Sequence, residues 1–222
     1  MNDYVAPTYE DPEASKYAWG TAFHWYAASQ QAANNWHQAE LDQLSKRWPN
    51  KGMIHTESSI DIDAQDPIGQ YWRLSPDYAG QFVPFETYAY DIITDLNHGT
   101  QGYVEWCMIL SHQGKPNPYD NFNSAPVLIN PITGQVIYTP LYYLLSHFSK
   151  FIRPGSHRIG VEGQSIPGVI YTAAQNPDGS IALVTFNSNA QAVRVVLDLN
   201  SSSYAFEIAA HALQTIRLSS DS

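Results

Sequence analysis

Met53-Ile54-His55-Thr56-Glu57 reads as a short buried β-strand that stops at a carboxylate. On its N-terminal side, Leu41, Leu44 and Trp48 recur three and four apart, predicting a helix over Asn35 to Trp48 that Pro49 closes. Before that helix, Tyr17 to Tyr26 is rich in aromatic and small residues and ends in His24-Trp25-Tyr26, a second strand end. On the C-terminal side, Phe82, Phe85, Ala89, Ile92 and Leu96 mark a helix with Gly99 where a C-cap glycine belongs. Gly102 to Leu110 reads as a third strand. A loop with Gly114, Pro116, Asn117 and Pro118 then leads to Thr139-Pro140, an N-cap and first-turn pair, and to a helix carrying Leu141, Leu144, Leu145, Phe148 and Ile152. Strands alternating with helices in this way predict about three βα units of a parallel sheet.

Beyond Pro154-Gly155 the pattern turns all β. Short β-prone runs at Gly168 to Ala173, Ile181 to Phe186, Ala192 to Leu199, Tyr204 to Ile208 and Leu213 to Leu218 are separated by turns, among them Asn176-Pro177-Asp178-Gly179. The expected organisation is α/β over residues 1–155 and a small antiparallel β-sandwich over 156–222.

Composition narrows the function classes. A net charge of -10, from 11 Lys+Arg against 21 Asp+Glu, repels phosphate backbones and argues against nucleic acid. No apolar run approaches the ~20 residues of a spanning helix, and Met1 to Asp11 lacks a signal-peptide core. Cys107 is the single cysteine, so no internal disulfide forms. The 8 histidines show no paired metal-ligand spacing, no phosphate-binding glycine motif occurs, and no cofactor is expected. Asn200-Ser201-Ser202 matches a glycosylation acceptor, a triplet common by chance in Ser-rich turns. The 6 Trp, 15 Tyr and 8 Phe exceed what a core of this size needs; core packing is the commoner role of such rings, and stacking platforms for sugars are the other.

In parallel βα proteins the functional groups collect at the C-terminal ends of strands. Three strand ends here carry reactive or sugar-friendly groups: His24, Trp25 and Tyr26; Glu57; and Glu105 with Trp106. A strand-end carboxylate approached by hydrogen-bond donors suits a glycosidic nucleophile, although a lone strand-end Glu is more often a rim residue.

The local runs carry a resemblance. Asp11-Pro12-Glu13-Ala14-Ser15-Lys16-Tyr17 followed by His24-Trp25-Tyr26 resembles the approach to the sixth barrel strand of glycoside hydrolase family 30, which includes the glucosylceramidases and endo-β-1,6-glucanases. Ile54-His55-Thr56-Glu57-Ser58 is similar to the family's seventh strand and Gly102 to Trp106 to its eighth. Gly114-Lys115-Pro116-Asn117, Asn121-Phe122 and Ala125-Pro126 are similar to its substrate loop, and Tyr143 to Arg153 to its last barrel helix. The ordered matches run from Asp11 to Leu218.

This resemblance implies the C-terminal part of a (β/α)8 TIM barrel followed by a β-sandwich, in a retaining hydrolase of β-linked glucosides or related sugars. It implies that Glu57 is the nucleophile, held by Tyr26, and that His24, Trp106 and Asn121 line the sugar pocket. Trp25 is either pocket wall or packing, and Glu105 either supports the pocket or belongs to a buried structural ion pair. It implies no metal. Relatives process glucosylceramide, β-1,6-glucan or xylosides, and many are secreted; the residues here choose neither the sugar nor the compartment.

Two departures stand out. The family's acid/base lies in an Asn-Glu-Pro motif on the fourth barrel strand, and no such triplet occurs among the 222 residues. A full barrel takes roughly 250 residues, so the first five strands are expected to be missing. The chain is then a fragment, or another polypeptide supplies the other half, and alone it should be sticky at its open strand edges and negligibly active. A noncatalytic sugar-binding or decayed protein is the alternative. Lys115 stands where relatives usually carry Gly, which bears on the aglycone side.

Overall fold

The computed structural model describes residues 1–25, 37–59, 61–62, 82–116, 122–199 and 201–219, with the backbone alone at 61–62, 82–85 and 122. Strands β1 (Gly20–His24), β2 (Gly52–Glu57) and β4 (Gly102–Tyr103) form a parallel sheet in the order β1-β2-β4. Helix α2 (Gln38–Arg47) follows β1, and α3 (Phe82–Asn97) follows β2. The expected βα alternation is therefore present, on a three-stranded parallel sheet.

Local chemistry sets these elements. The strands approach closely where they begin: a Cβ on Gly20 would lie 2.2 Å from the Gly52 carbonyl oxygen, and one on Gly52 would lie 2.2 Å from the Trp19 ring. Leu41 and Leu44 of α2 pack with Phe23 and Met53, so the helix covers one face of the β1-β2 pair. Helix α3 ends as its glycine predicts: Gly99 adopts φ +94, and the Thr100 amide bonds back to the Asp95 carbonyl. Helix α4 (Pro140–Ser149) starts at Pro140, but the Thr139 side chain does not cap it. The hydroxyl donates instead to the carbonyls of Ala125 and Pro126, pinning the helix start to the preceding loop.

Some elements differ from expectation. An N-terminal helix α1 (Asn2–Glu10) contains Pro7 and has no strong apolar face to announce it. The run expected as one strand over Gly102 to Leu110 is split. Val104 and Trp106 still donate to the backbone of β2 and beyond, but β5 (Ile109–Ser111) turns away to pair with β7 (Val127–Ile129), which also pairs with β8 (Val136–Tyr138). Leu110 finds its core there, with Leu128 and Ala125, and this non-local packing divides the strand. A short pair, β3 (Asp61–Ile62) with β6 (Phe122–Asn123), ties this loop to the segment after β2.

The C-terminal part has a sheet β14-β11-β10-β9 facing a hairpin β12-β13. These are β9 (His157–Ile159), β10 (Val169–Gln175), β11 (Ile181–Asn187), β12 (Val193–Leu199), β13 (Ser202–Ile208) and β14 (Ala212–Leu218). All five expected β runs are strands, and β9 is additional. The core does not respect the change of pattern at Pro154-Gly155: Tyr88, Ile92 and Ile93 of α3 and Leu141, Leu144 and Phe148 of α4 share one cluster with Val184 and Phe186 of β11. Asn176, in the turn between β10 and β11, locks the linker. It accepts from the Arg153 amide at 3.0 Å and donates to the Phe151 carbonyl at 3.0 Å.

Candidate active site

Of the expected site residues, the described ones, His24, Trp25, Glu57 and Trp106, lie at or just beyond the C-terminal ends of β1, β2 and β4. Strict strand alternation would send Glu57 to the face of Met53 and His55, which is packed beneath the helices. The β1-β2 register prevents this: Phe23 pairs with His55, but the next residue, His24, pairs with Glu57, so Thr56 is an extra residue in a bulge. Thr56 Oγ1 closes the bulge by donating to the Phe23 carbonyl at 3.2 Å. His24 Nδ1 then stands 3.9 Å from Glu57 Oε1, with both side chains reaching solvent.

Trp106 is brought to the same rim. Its amide donates to the Ser58 carbonyl at 2.9 Å, next to Glu57, and its side chain is 37% exposed. The peptide bond between Trp106 and Cys107 is cis. Trp25 packs its ring 4.6 Å from that of Tyr88, on the edge of the shared core. Tyr26 and Asn121 lie outside the described residues.

Glu105 is tied to the same segment. Its carboxyl accepts from Ser58 Oγ at 2.6 Å and from Tyr88 Oη at 2.6 Å. Among the described residues its partners are hydroxyls rather than a cation. Burial pushes this carboxyl up to about 8, against the opposing pull of the two hydroxyl bonds. The Cys107 thiol is raised by burial, and by the charges of Glu105 and Glu57.

Beneath Glu57 lies a buried polar network whose roles the sequence patterns did not assign. His55 is fully buried; its Nε2 meets the Glu57 carbonyl oxygen at 3.0 Å, and its Nδ1 meets Asp95 Oδ2 at 2.7 Å. Asp95 Oδ1 meets His37 Nε2 at 2.5 Å, and Asp91 accepts from Tyr103 Oη at 2.9 Å. Burial, reinforced by the charge of Asp95, raises Asp91 to about 7; the charges of His55 and His37 and the Tyr103 bond act in the opposite sense. The Tyr103 phenol is pushed well up, first by burial and then by the acids around it. A signal existed: Asp91 and Asp95 interrupt an apolar helix four residues apart, and His55 interrupts an apolar strand, so each needed a buried partner.

His37, Asp91 and Asp95 offer ligand atoms within 4.8 Å of one another, as a metal would require. However, tetrahedral ligands at ~2.0–2.1 Å from an ion sit roughly 3.3 Å apart. The 2.5 Å His37–Asp95 contact and the neighbouring 2.7 Å His55–Asp95 contact are hydrogen-bond separations. The geometry is that of a proton-sharing network.

Comparison with known proteins fits this geometry. Residues 2–152 match the glycosyl hydrolase family 30 TIM-barrel domain and residues 155–216 the glycosyl hydrolase family 30 beta sandwich domain. The chain is 30% identical over 210 residues to putative glucosylceramidase 3 of Caenorhabditis elegans, covering 94% of this chain and 38% of that protein. It is 29% identical to the lysosomal acid glucosylceramidase of Mus musculus, covering 84% of this chain and 34% of that protein. The fold superposes on SrfJ from Salmonella typhimurium with a TM-score of 0.83 at 22% identity, covering 98% of this chain and 44% of that one. On the endo-beta1,6-glucanase BT3312 the TM-score is 0.79 at 23% identity, covering 97% and 44%. The chain thus spans between about a third and just under half of the length of these relatives. With a partial barrel wall, a β-sandwich docked on its helices and matches to both domains, this chain belongs to glycoside hydrolase family 30 and is glucosylceramidase-like.

Proposed function

We propose that this chain carries the nucleophile half of a retaining β-glycosidase site, with Glu57 as the nucleophile. The observation that supports this most is the bulge at Thr56, which sets the Glu57 carboxylate opposite His24 on the rim instead of under the helices. His24 and Trp106 flank it as sugar-binding groups; Tyr26 and Asn121 join them by family resemblance. Trp25 supports this wall from behind, through Tyr88. Residues 1–155 make the barrel part and 156–222 the sandwich.

In this reading a Glu57 oxygen attacks the anomeric carbon of a β-linked glucoside or related sugar. The glycosidic C–O bond breaks with its electron pair going to the leaving oxygen, which takes a proton from a second carboxyl, and a glycosyl ester forms on Glu57. Water then attacks the same carbon, giving its proton to the second carboxyl and releasing Glu57, with retention overall. That second carboxyl must stand ~5–5.5 Å away, and no Asn-Glu-Pro triplet is present in the 222 residues to supply it. The other barrel strands supply it in the working enzyme, either as an earlier part of a longer chain or on another polypeptide. An exposed apolar seam beside β4 offers a place for that half: Val104 and Met108 are 52% and 73% exposed, and a groove of about 780 Å³ runs between them, Tyr142 and Leu145.

The test is covalent trapping with 2-deoxy-2-fluoro-β-D-glucosyl fluoride, whose fluoride leaves without acid help. Labelled peptide should map to Glu57, with or without a co-expressed half-barrel containing Asn-Glu-Pro. Turnover of a natural β-glucoside should require that half-barrel. Label on another residue would overturn the nucleophile assignment, and turnover by the lone chain would overturn the missing-acid reading.

A further inference from the structure

His55 is fully buried and bonded at both ring nitrogens beneath the main chain that carries Glu57. His55 lies two residues before Glu57 on the same strand. Its Nε2 faces the Glu57 carbonyl oxygen at 3.0 Å. A carbonyl can only accept, so Nε2 carries a proton. Its Nδ1 faces Asp95 Oδ2 at 2.7 Å, so a second proton lies between that nitrogen and the carboxyl. Both ring nitrogens are therefore committed. The ring is also clamped between Phe23, with centroids 5.2 Å apart, and Tyr103, at 4.2 Å. Asp95 is itself fixed by His37, and the adjacent Asp91 by Tyr103. The imidazole thus has one orientation.

That orientation matters because the Glu57 carbonyl belongs to the bulged segment. Thr56 Oγ1 ties this segment to the Phe23 carbonyl of β1, and His55 Nε2 holds the Glu57 carbonyl itself. Without the second bond, Glu57 could return to regular alternation and swing toward the helix face.

We propose that His55, oriented by Asp95, is a positioning residue that pins the bulged main chain at Glu57 and so aims its carboxylate at the sugar. The inference rests on Glu57 being the nucleophile. Positioning of a reacting group by a fixed neighbour shows in the rate of bond formation more than in ground-state binding.

Trapping with the fluorosugar on the full chain separates the two, because its concentration dependence gives an inactivation rate and a binding constant. His55→Leu is expected to lower the inactivation rate ~10–100-fold while the binding constant moves less than about threefold. His55→Gln, whose amide can still reach the Glu57 carbonyl, should recover most of that rate. His55→Asn, which reaches only toward Asp95, should not. This polar pair carries the test if His55→Leu does not fold. Equal rates for the Gln and Asn variants would overturn the inference. NMR of ¹⁵N-histidine-labelled chain gives an arm free of sugar chemistry: His55 Nε2 should be protonated, and a bare Nε2 would overturn the inference. Labelling indifferent to His55 sinks this inference alone, whereas label on another residue removes the nucleophile reading and this inference with it.

Discussion

The sandwich and the barrel wall of this chain treat their backbones differently. The β10-β11, β11-β14 and β12-β13 pairs each run for seven residues in unbroken register. The β1-β2 pair breaks register at its end, and β4 pairs only two residues of β2 before its ladder gives way to isolated bonds. Regular pairing makes a scaffold and leaves nothing to aim. Irregular pairing at the rim, with a polar network behind it, suits the role proposed for Glu57, and the scaffold's stability offsets its cost.

The largest effect should come from the rim itself. Glu57→Gln is expected to cut covalent trapping more than ~10³-fold while the thermal midpoint stays near that of the unaltered chain. Retained trapping would end the comparison, because the irregular region would then carry no chemistry.

Next in size is the join between the two regions. Leu141 is fully buried in the cluster that also holds Tyr88 and Val184, so it belongs to barrel helix and sandwich at once. Leu141→Ala should cost about 2–5 kcal/mol and lower stability in both regions together, in a single denaturant transition. Two transitions, with the sandwich unaffected, would mean the regions fold separately. Asn176→Ala should cost less, about 1–3 kcal/mol, since it leaves the Phe151 carbonyl and the Arg153 amide to find water. Its signature is faster proteolysis near Pro154-Gly155.

The same contrast explains what could be read from the sequence. Seven-residue ladders and amphipathic helices repeat at a fixed period, so β10 to β14, α3, α4 and the β2 strand ending at Glu57 are legible in the sequence to within about two residues at the strand ends, whereas the three-residue β9 is not. The bulge was not, because Met53-Ile54-His55-Thr56-Glu57 has the same alternation whether or not Thr56 is looped out. Only pairing with Phe23 and His24 decides it. The split of Gly102 to Leu110 was hidden for a similar reason, since β5 leaves its own strand for a partner near Val127. Family resemblance reached His24, Trp106 and Glu57, which touch the rim, but not His55, Asp91 or Asp95, whose partners are assembled from separate segments beneath it.

The smallest expected change is one of slope. In the folded chain Glu105 holds its proton up to about pH 8, while its ordinary value is 4.5, so between those limits the folded state binds more protons than the unfolded one. Stability must therefore fall as pH rises through this window. Asp91 acts in the same direction between 3.8 and about 7, so above pH 7 the slope is mainly that of Glu105. Glu105→Gln is isosteric with the neutral acid. Its oxygen can accept from one of Ser58 and Tyr88, and its amide can donate to the other hydroxyl, so at about pH 4, where the acid is largely neutral in both folded and unfolded chain, the thermal midpoint should barely move, and by neutral pH the variant should be the more stable. Between pH 7 and 9 the unaltered chain should lose stability while Glu105→Gln stays nearly flat. Parallel curves across that range would mean that Glu105 is already ionised at neutral pH, and that the rim behind Trp106 is wetter than its two short hydroxyl bonds imply.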